Sequence, residues 1–190
     1  MPAPGTIHQN CVVRKQACGR IFSGARIAFV ATPAADSVAL ELDIIKSVVK
    51  EFGLEPYVAI EQFDPAQDIF CQKICTKIIE SQFCIVLLTD PLIDERPMPN
   101  PNVYYEYGLM TGFGKTIVPL QREAHRLAFN VQSLDTIKYS PRNLRSRLAE
   151  AVALVLSPKA VPEYFDRVRG KKTLIKLAMQ FLELAGHCSE

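Results

Sequence analysis

Glu106 is the one charged residue between Asn102 and Gly114, in the run Asn102-Val103-Tyr104-Tyr105-Glu106-Tyr107-Gly108-Leu109-Met110-Thr111-Gly112-Phe113-Gly114. A carboxylate with so many apolar neighbours is costly unless it is paired, protonated or opens into a cavity. Gly108 and Gly112 add to the pattern. Each weakens a helix interior by roughly 1 kcal/mol against alanine, and each permits close approach of a ligand or another backbone. The run therefore predicts a pocket wall carrying a single carboxylate. A half-exposed, solvated Glu106 with glycines that serve only helix–sheet packing is the plainer alternative.

The element that must hold Glu106 is marked at both ends. Asn100 is a good N-cap and Pro101 suits the first helical position. Gly114 supplies the stop, and Lys115 sits where a cation suits the helix dipole.

Upstream, Arg26-Ile27-Ala28-Phe29-Val30-Ala31-Thr32 is an apolar run ending at Pro33, the form of a strand buried on both faces. Asp36 and Ser37 can cap a helix with the stripe Ile45, Val48, Val49 and Phe52, which Gly53 ends. Tyr57-Val58-Ala59-Ile60 reads as a second strand, followed by the loop Glu61-Gln62-Phe63-Asp64-Pro65 and a helix with Ile74, Cys75, Ile78 and Ile79 inward. Phe83 to Thr89 is the most apolar run and the expected central strand. A loop rich in proline and acid, Leu92 to Pro99, leads into the Glu106 helix. Thr116 to Leu120 makes a fourth strand. An irregular stretch with Arg122, His125 and Arg126 follows, then a fifth strand at Thr136 to Tyr139. Ser140-Pro141 opens a helix carrying Leu144, Leu148, Ala151, Val152 and Val155.

Five strands alternating with helices predict a three-layer α/β sandwich with a parallel sheet. The right-handed crossover rule favours the flavodoxin-like order 2-1-3-4-5. Its switch point lies between strands 1 and 3, at the loops Thr32-Pro33-Ala34-Ala35 and Thr89-Asp90, next to the Glu106 helix. The organisation expected is an irregular N-terminal segment (1–24), the α/β domain (25–157), and a linker with an appended helix (158–190). That helix carries the stripe Leu174, Leu177, Ala178, Phe181, Leu182 and Ala185 and needs a partner surface.

Composition narrows the function classes. An apolar fraction of 48% and a charged fraction of 22% are those of an ordinary soluble domain. A net charge of +2 gives no electrostatic reason for nucleic acid or an anionic membrane as partner. No apolar run approaches the roughly 20 residues that span a bilayer, and no signal peptide is evident, so a cytoplasmic protein is expected. Six cysteines, with Cys71 and Cys75 a helical turn apart and Cys84 in an apolar run, fit small buried hydrophobes in a reducing compartment. His8, Cys11 and Cys18, with His187 or Cys188, match no zinc spacing, and no metal is expected.

Several chemistries lack their motifs. No Gly-x-Gly-x-x-Gly or Walker loop follows the first strand, no Gly-x-Ser-x-Gly elbow exists, and no histidine stands beside a Cys or Ser in a plausible triad. His125 reads as a surface or capping residue.

The run from Ile78 to Leu120 resembles bacterial and archaeal TIR-like domains and the related nucleoside 2-deoxyribosyltransferases. The resemblance is carried by Ser81 to Thr89, then Asn100-Pro101-Asn102-Val103-Tyr104-Tyr105-Glu106-Tyr107-Gly108, then Gly114-Lys115-Thr116-Ile117-Val118-Pro119-Leu120. With Ser133 to Tyr139 and the following helix, it covers about residues 26–156. It implies cleavage of an N-glycosidic bond with Glu106, the matching motif glutamate, acting at the anomeric carbon. One carboxylate suits that chemistry, because cleavage builds oxocarbenium character that a negative charge stabilises or captures. Nicotinamide leaves NAD⁺ as a neutral molecule and needs no acid, whereas ordinary nucleosides usually do. No acid partner stands near Glu106 in sequence, so NAD or a related nucleotide is the expected substrate, with no cofactor. Deoxyribosyltransferases commonly carry an acid at the start of the central strand and another before the glutamate. Here those positions hold Gln82-Phe83 and Asn100, which sets deoxyribosyl transfer third. The second expectation is a non-catalytic nucleotide-binding or assembly module, and association into a homo-oligomer through the C-terminal helix is expected.

Around Glu106, Thr32 and Pro33 are expected to border the ligand, with Asn102 beside the glutamate one turn earlier. Asp90 is a candidate for ribose hydroxyls, and Tyr105 or Phe63 for stacking on a ring. Each also has a structural role open to it: Asp90 as a loop cap, Tyr105 as core, Phe63 as loop packing.

Overall fold

The computed structural model describes residues 21, 24–34, 36–62, 69–89, 92–93, 96–123 and 136–157. The chain divides into two units, Met1–Val155 and Leu156–Glu190. The expectations for the N-terminal segment, for Phe63, Asp90, His125 and Arg126, and for the C-terminal helix lie outside the described residues.

The parallel sheet is built from β1 (Ala25–Ala31), β2 (Glu55–Val58), β3 (Ser81–Leu88), β6 (Ile117–Arg122) and β7 (Ile137–Tyr139). Its order is β2-β1-β3-β6-β7, every neighbouring pair parallel. Between β3 and β6 lie two two-residue strands, β4 (Leu92–Ile93) and β5 (Arg96–Pro97), which pair antiparallel as a small hairpin. With that hairpin set aside, the order is the 2-1-3-4-5 that the crossover rule favours.

Side-chain parity divides the core into two layers. Phe29 sits in register between Tyr57 of β2 and Cys84 of β3. Together with Ala31, Val86 and Leu88 it packs against Ile74, Ile78, Val103, Tyr107 and Met110. Those partners belong to α2 (Thr76–Glu80), to the π-helix Ile69–Cys75 that runs into it, and to α3 (Pro101–Gly112). The opposite parity, Ala28, Val30, Phe83, Ile85 and Leu87, is equally buried. Helices α1 (Ala39–Glu51) and α4 (Leu144–Leu156) bury Ile45, Val48, Val49, Leu144, Leu148 and Val152 on that side. They are tied together where Arg145 pairs with Glu51 and donates to Ser47 Oγ at 2.9 Å. Strand β3 is apolar on both faces because helices cover both. Pro119 is tolerated inside β6 because β7 pairs only from Leu120 onward.

Four local expectations are corrected. The second strand stops at Val58, and Ala59–Glu61 form a 3₁₀ turn instead. Arg122 is the last residue of β6, not part of an irregular stretch. Gly108 and Gly112 meet no close approach by another backbone among the described residues. Both are exposed, and a Cβ at either would find nothing within 4 Å among the described residues. They share the solvent face of α3 with Pro101, Asn102, Tyr105 and Thr111, so that helix has the wet side its composition obscured. Lys115 serves a different helix end. The α3 stop is backbone: Gly114 at φ +63° donates to Thr111 O and Lys115 N–H to Met110 O, each at 3.0 Å. The Lys115 ammonium instead donates to Ile79 O at 3.1 Å and Ser81 O at 2.5 Å, where α2 ends and β3 begins.

No helix among the described residues is long and apolar enough to cross a membrane.

Candidate active site

Asn100 starts α3 as the sequence predicts, its Oδ1 accepting from the N–H groups of Asn102 at 3.1 Å and Val103 at 3.3 Å. The cap fixes the rotation of the helix. With the chain entering there, Val103, Tyr107 and Met110 turn onto the sheet, and Glu106 joins the same buried stripe at 7% exposure. Asn102 lies one turn before Glu106 on adjoining helix surface, with Tyr105 between them at 44% exposure.

These three residues form one wall of a cavity of about 230 Å³. Ala59 and Ile60, from the turn after β2, and Lys73 and Ile74, from the π-helix, form the rest of its lining. The cavity thus sits beyond the carboxyl end of β2 against α3, at the carboxyl edge where doubly wound sheets bind ligands. Its lining is apolar apart from Glu106, Asn102, Lys73 and the Tyr105 hydroxyl, the pattern of a small-molecule site with few orienting groups. A π-helical turn beside it is a further mark of function, since such turns recur at sites.

Among the described residues, the Glu106 carboxylate has no hydrogen-bond or ion-pair partner. Burial pushes its pKa up to about 7, against which the Lys73 charge pulls down. The carboxyl group is therefore divided between its two protonation states at neutral pH. Lys73 donates to Gln62 O at 2.6 Å, which ties the π-helix to the turn after β2.

Of the residues singled out in the sequence, the structure brings Asn102, Tyr105 and Glu106 into one cavity. Thr32 and Pro33 are buried at the end of β1, Thr32 Oγ1 donating to Pro33 O at 3.4 Å, and they do not line it. The neighbouring Thr89, at the end of β3, buries a hydroxyl with no partner among the described residues. Ala59, Ile60, Lys73 and Ile74 are the lining residues that sequence reasoning missed. Ala59 and Ile60 stand inside the stretch that the sequence reads as a second strand, and no pattern in the sequence marks Lys73. Among the described residues no three His, Cys, Asp or Glu side chains group as a metal site.

Fold and site together define a doubly wound α/β domain with a carboxylate-bearing cavity at the carboxyl edge of its sheet. No protein-family model matches the chain, and no curated protein matches it. Solved structures do resemble it in fold. The CMP N-glycosidase BcmB of Clostridium botulinum is 20% identical at a TM-score of 0.46, over 67% of this chain and 98% of that one. The TIR domain of the Toll-related receptor TRR-2 of Hydra magnipapillata is 13% identical at 0.49, over 68% and 95%. A 2-deoxyribosyltransferase of Leishmania mexicana is 15% identical at 0.41, over 60% and 75%. TIR domains and deoxyribosyltransferases are the two kinds of domain whose motif the sequence resembles. At these identities the likeness is one of fold alone.

Proposed function

We propose that this chain is a TIR-like nucleotide N-glycosidase that cleaves the nicotinamide–ribose bond of NAD or a related nucleotide, with Glu106 at the anomeric carbon. The observation that carries this reading is the Glu106 carboxylate, buried, without a partner among the described residues, and opening into a cavity. A charge so placed costs stability and is matched by no contact of its own, which fits a group kept for a ligand.

The reaction needs little else. The C1′–N bond breaks with its electron pair leaving on the pyridine nitrogen, which turns the cationic ring into neutral nicotinamide. The positive charge left on the ribose faces the Glu106 carboxylate, which stabilises it or forms an ester with it. Water then supplies the oxygen of the new C1′–O bond, releases a proton and leaves the carboxylate as it was. No acid is required for the leaving group, and Glu106 is the one carboxyl among the residues lining the cavity. Asn102 is placed to hold a ribose hydroxyl, and Tyr105, with Ile60 at 48% exposure, to cover the ring at the mouth.

The volume agrees with part of a dinucleotide. A cavity of about 230 Å³ is smaller than the roughly 300–1,000 Å³ that encloses a drug-sized ligand. It would take the scissile end while the remainder lies outside.

The test is incubation of the purified chain with NAD⁺ at high protein concentration, with Glu106→Gln beside it. Release of free nicotinamide that disappears in the variant supports the reading. No release, or equal release from both proteins, overturns it.

A further inference from the structure

The cavity contains one charged group that takes no direct part in the bond cleavage, although its charge favours the ionised form of Glu106. Lys73 stands on the π-helix wall, across from the α3 wall that carries Glu106. Two described lysines pair with carboxylates, Lys46 with Glu61 and Lys77 with Glu80, but neither lines the cavity. Among the described residues Lys73 forms no ion pair, and its one hydrogen bond is to a neutral carbonyl, Gln62 O. An ammonium has three donors, and that bond uses one. It also fixes the side chain, so an anion binding there loses little freedom on Lys73's account. The Glu106 carboxylate does not neutralise it, since the two make no contact within ion-pair range. A cavity with an anion on one wall and, on the other, a cation without an ion pair among the described residues fits a ligand with the reverse polarity: a centre of positive charge at one end and an anionic substituent at the other.

Resting on the glycosidase reading, we propose that Lys73 is the residue by which this cavity selects a phosphorylated riboside over the bare riboside, its ammonium taking a phosphate oxygen while Glu106 faces the anomeric carbon. The lysine contributes a charge-assisted hydrogen bond, worth more than a neutral one.

The test compares nicotinamide riboside with nicotinamide mononucleotide, which differ by one phosphate. Binding is measured by calorimetry on Glu106→Gln protein, which does not turn the compounds over, with Lys73→Met and Lys73→Arg each added to it. The mononucleotide should bind at least about tenfold more tightly than the riboside, the yield of one charge-assisted hydrogen bond. Lys73→Met should abolish that preference by weakening the mononucleotide alone, and Lys73→Arg should retain most of it. Circular dichroism confirms that each variant is folded. Equal affinities for the two compounds, a preference that survives Lys73→Met, or binding of neither overturns the proposal. Nicotinamide release from wild-type protein is scored separately. Release without a phosphate preference leaves the glycosidase reading standing and removes Lys73. A Lys73-dependent preference without release supports the phosphate site and removes the glycosidase.

Discussion

Glu41, in the first turn of α1, and Arg122, the last residue of β6, lie 81 residues apart and meet at the carboxyl edge of the sheet, where Arg122 Nε donates to Glu41 Oε1 at 2.6 Å. The second arm of the guanidinium reaches Ser37 O at 2.8 Å, and the buried Tyr139 hydroxyl donates to the same carboxylate at 3.4 Å. One carboxylate thus joins the start of α1 to the ends of β6 and β7. Both burial and that carboxylate hold the Tyr139 hydroxyl's pKa well above the usual tyrosine range. The two partners are not equally dispensable. Glu41 is 3% exposed, whereas Arg122 reaches solvent. Arg122→Met should therefore destabilise the domain by about 3 kcal/mol, because it removes the ionic partner of a buried charge and leaves it only the Tyr139 hydroxyl. Glu41→Gln should cost less. Urea denaturation of the two variants checks the order, and a larger loss in Glu41→Gln would contradict it.

Glu106 gives a pH dependence of defined sign. Its folded-state pKa is about 7, above the ordinary 4.5, so the folded protein binds that proton more tightly than the unfolded chain. The stabilisation is fully present below about pH 4.5, fades as pH rises, and is gone above about 7. Glu106→Gln should thus be more stable than wild type at pH 8, by on the order of 3 kcal/mol at most, and the gap should close towards pH 4.5. Thermal melts of both proteins across that range are the measurement. A gap that does not vary with pH would show that burial does not govern this carboxyl.

On the proposed NAD⁺ cleavage, the same group would set the activity profile. A carboxylate that faces positive charge works only when ionised, so kcat/KM for NAD⁺ should rise with pH through about 7, the free-protein value. The kcat limb should lie lower, since the bound cationic ring favours the ionised form. Initial rates from pH 5 to 9 test both limbs, and a profile that falls across neutrality would assign Glu106 the role of an acid.

Gly108 lies on the exposed face of α3 with room for a methyl group. Gly108→Ala should raise stability by about 0.5–1 kcal/mol, the helix-propensity difference. The melting temperature reads it directly. If stability rises while nicotinamide release is lost, the face around Gly108 is needed by a partner or by an assembly.

Burial pushes the Cys84 thiol up to about 11, with Ser81 Oγ at 3.5 Å and the Lys115 charge pulling the other way. In native protein at pH 8 Cys84 should resist iodoacetamide, while the part-exposed Cys71 and Cys75 react first. Peptide mapping after brief labelling distinguishes them, and early modification of Cys84 would show that the β3 layer opens readily.

The sequence by itself determined the α/β class, the strand order and the helix that carries Glu106. Those features follow from local rules: apolar runs for doubly covered strands, the Asn100-Pro101 start, the Gly114 stop, and the fixed hand of the crossovers. It also singled out Glu106, because an isolated carboxylate in an apolar stretch is visible as composition alone. What it could not supply was how segments distant in the chain meet. Ala59 and Ile60 became cavity lining only because β2 ends at Val58, a boundary set by pairing with β1 and not by β-propensity. Gly108 and Gly112 proved to be solvent-facing because α3 is rotated by its cap and its buried stripe, which no list of residue types encodes. Lys115 found the end of α2 instead of its own helix, and Arg122 found Glu41 across the sheet edge. Long charged side chains choose partners by spatial proximity, and proximity between segments tens of residues apart exists only once the sheet has formed. For the same reason Lys73 was one more surface lysine in the sequence, and only the tertiary structure put it across a cavity from Glu106.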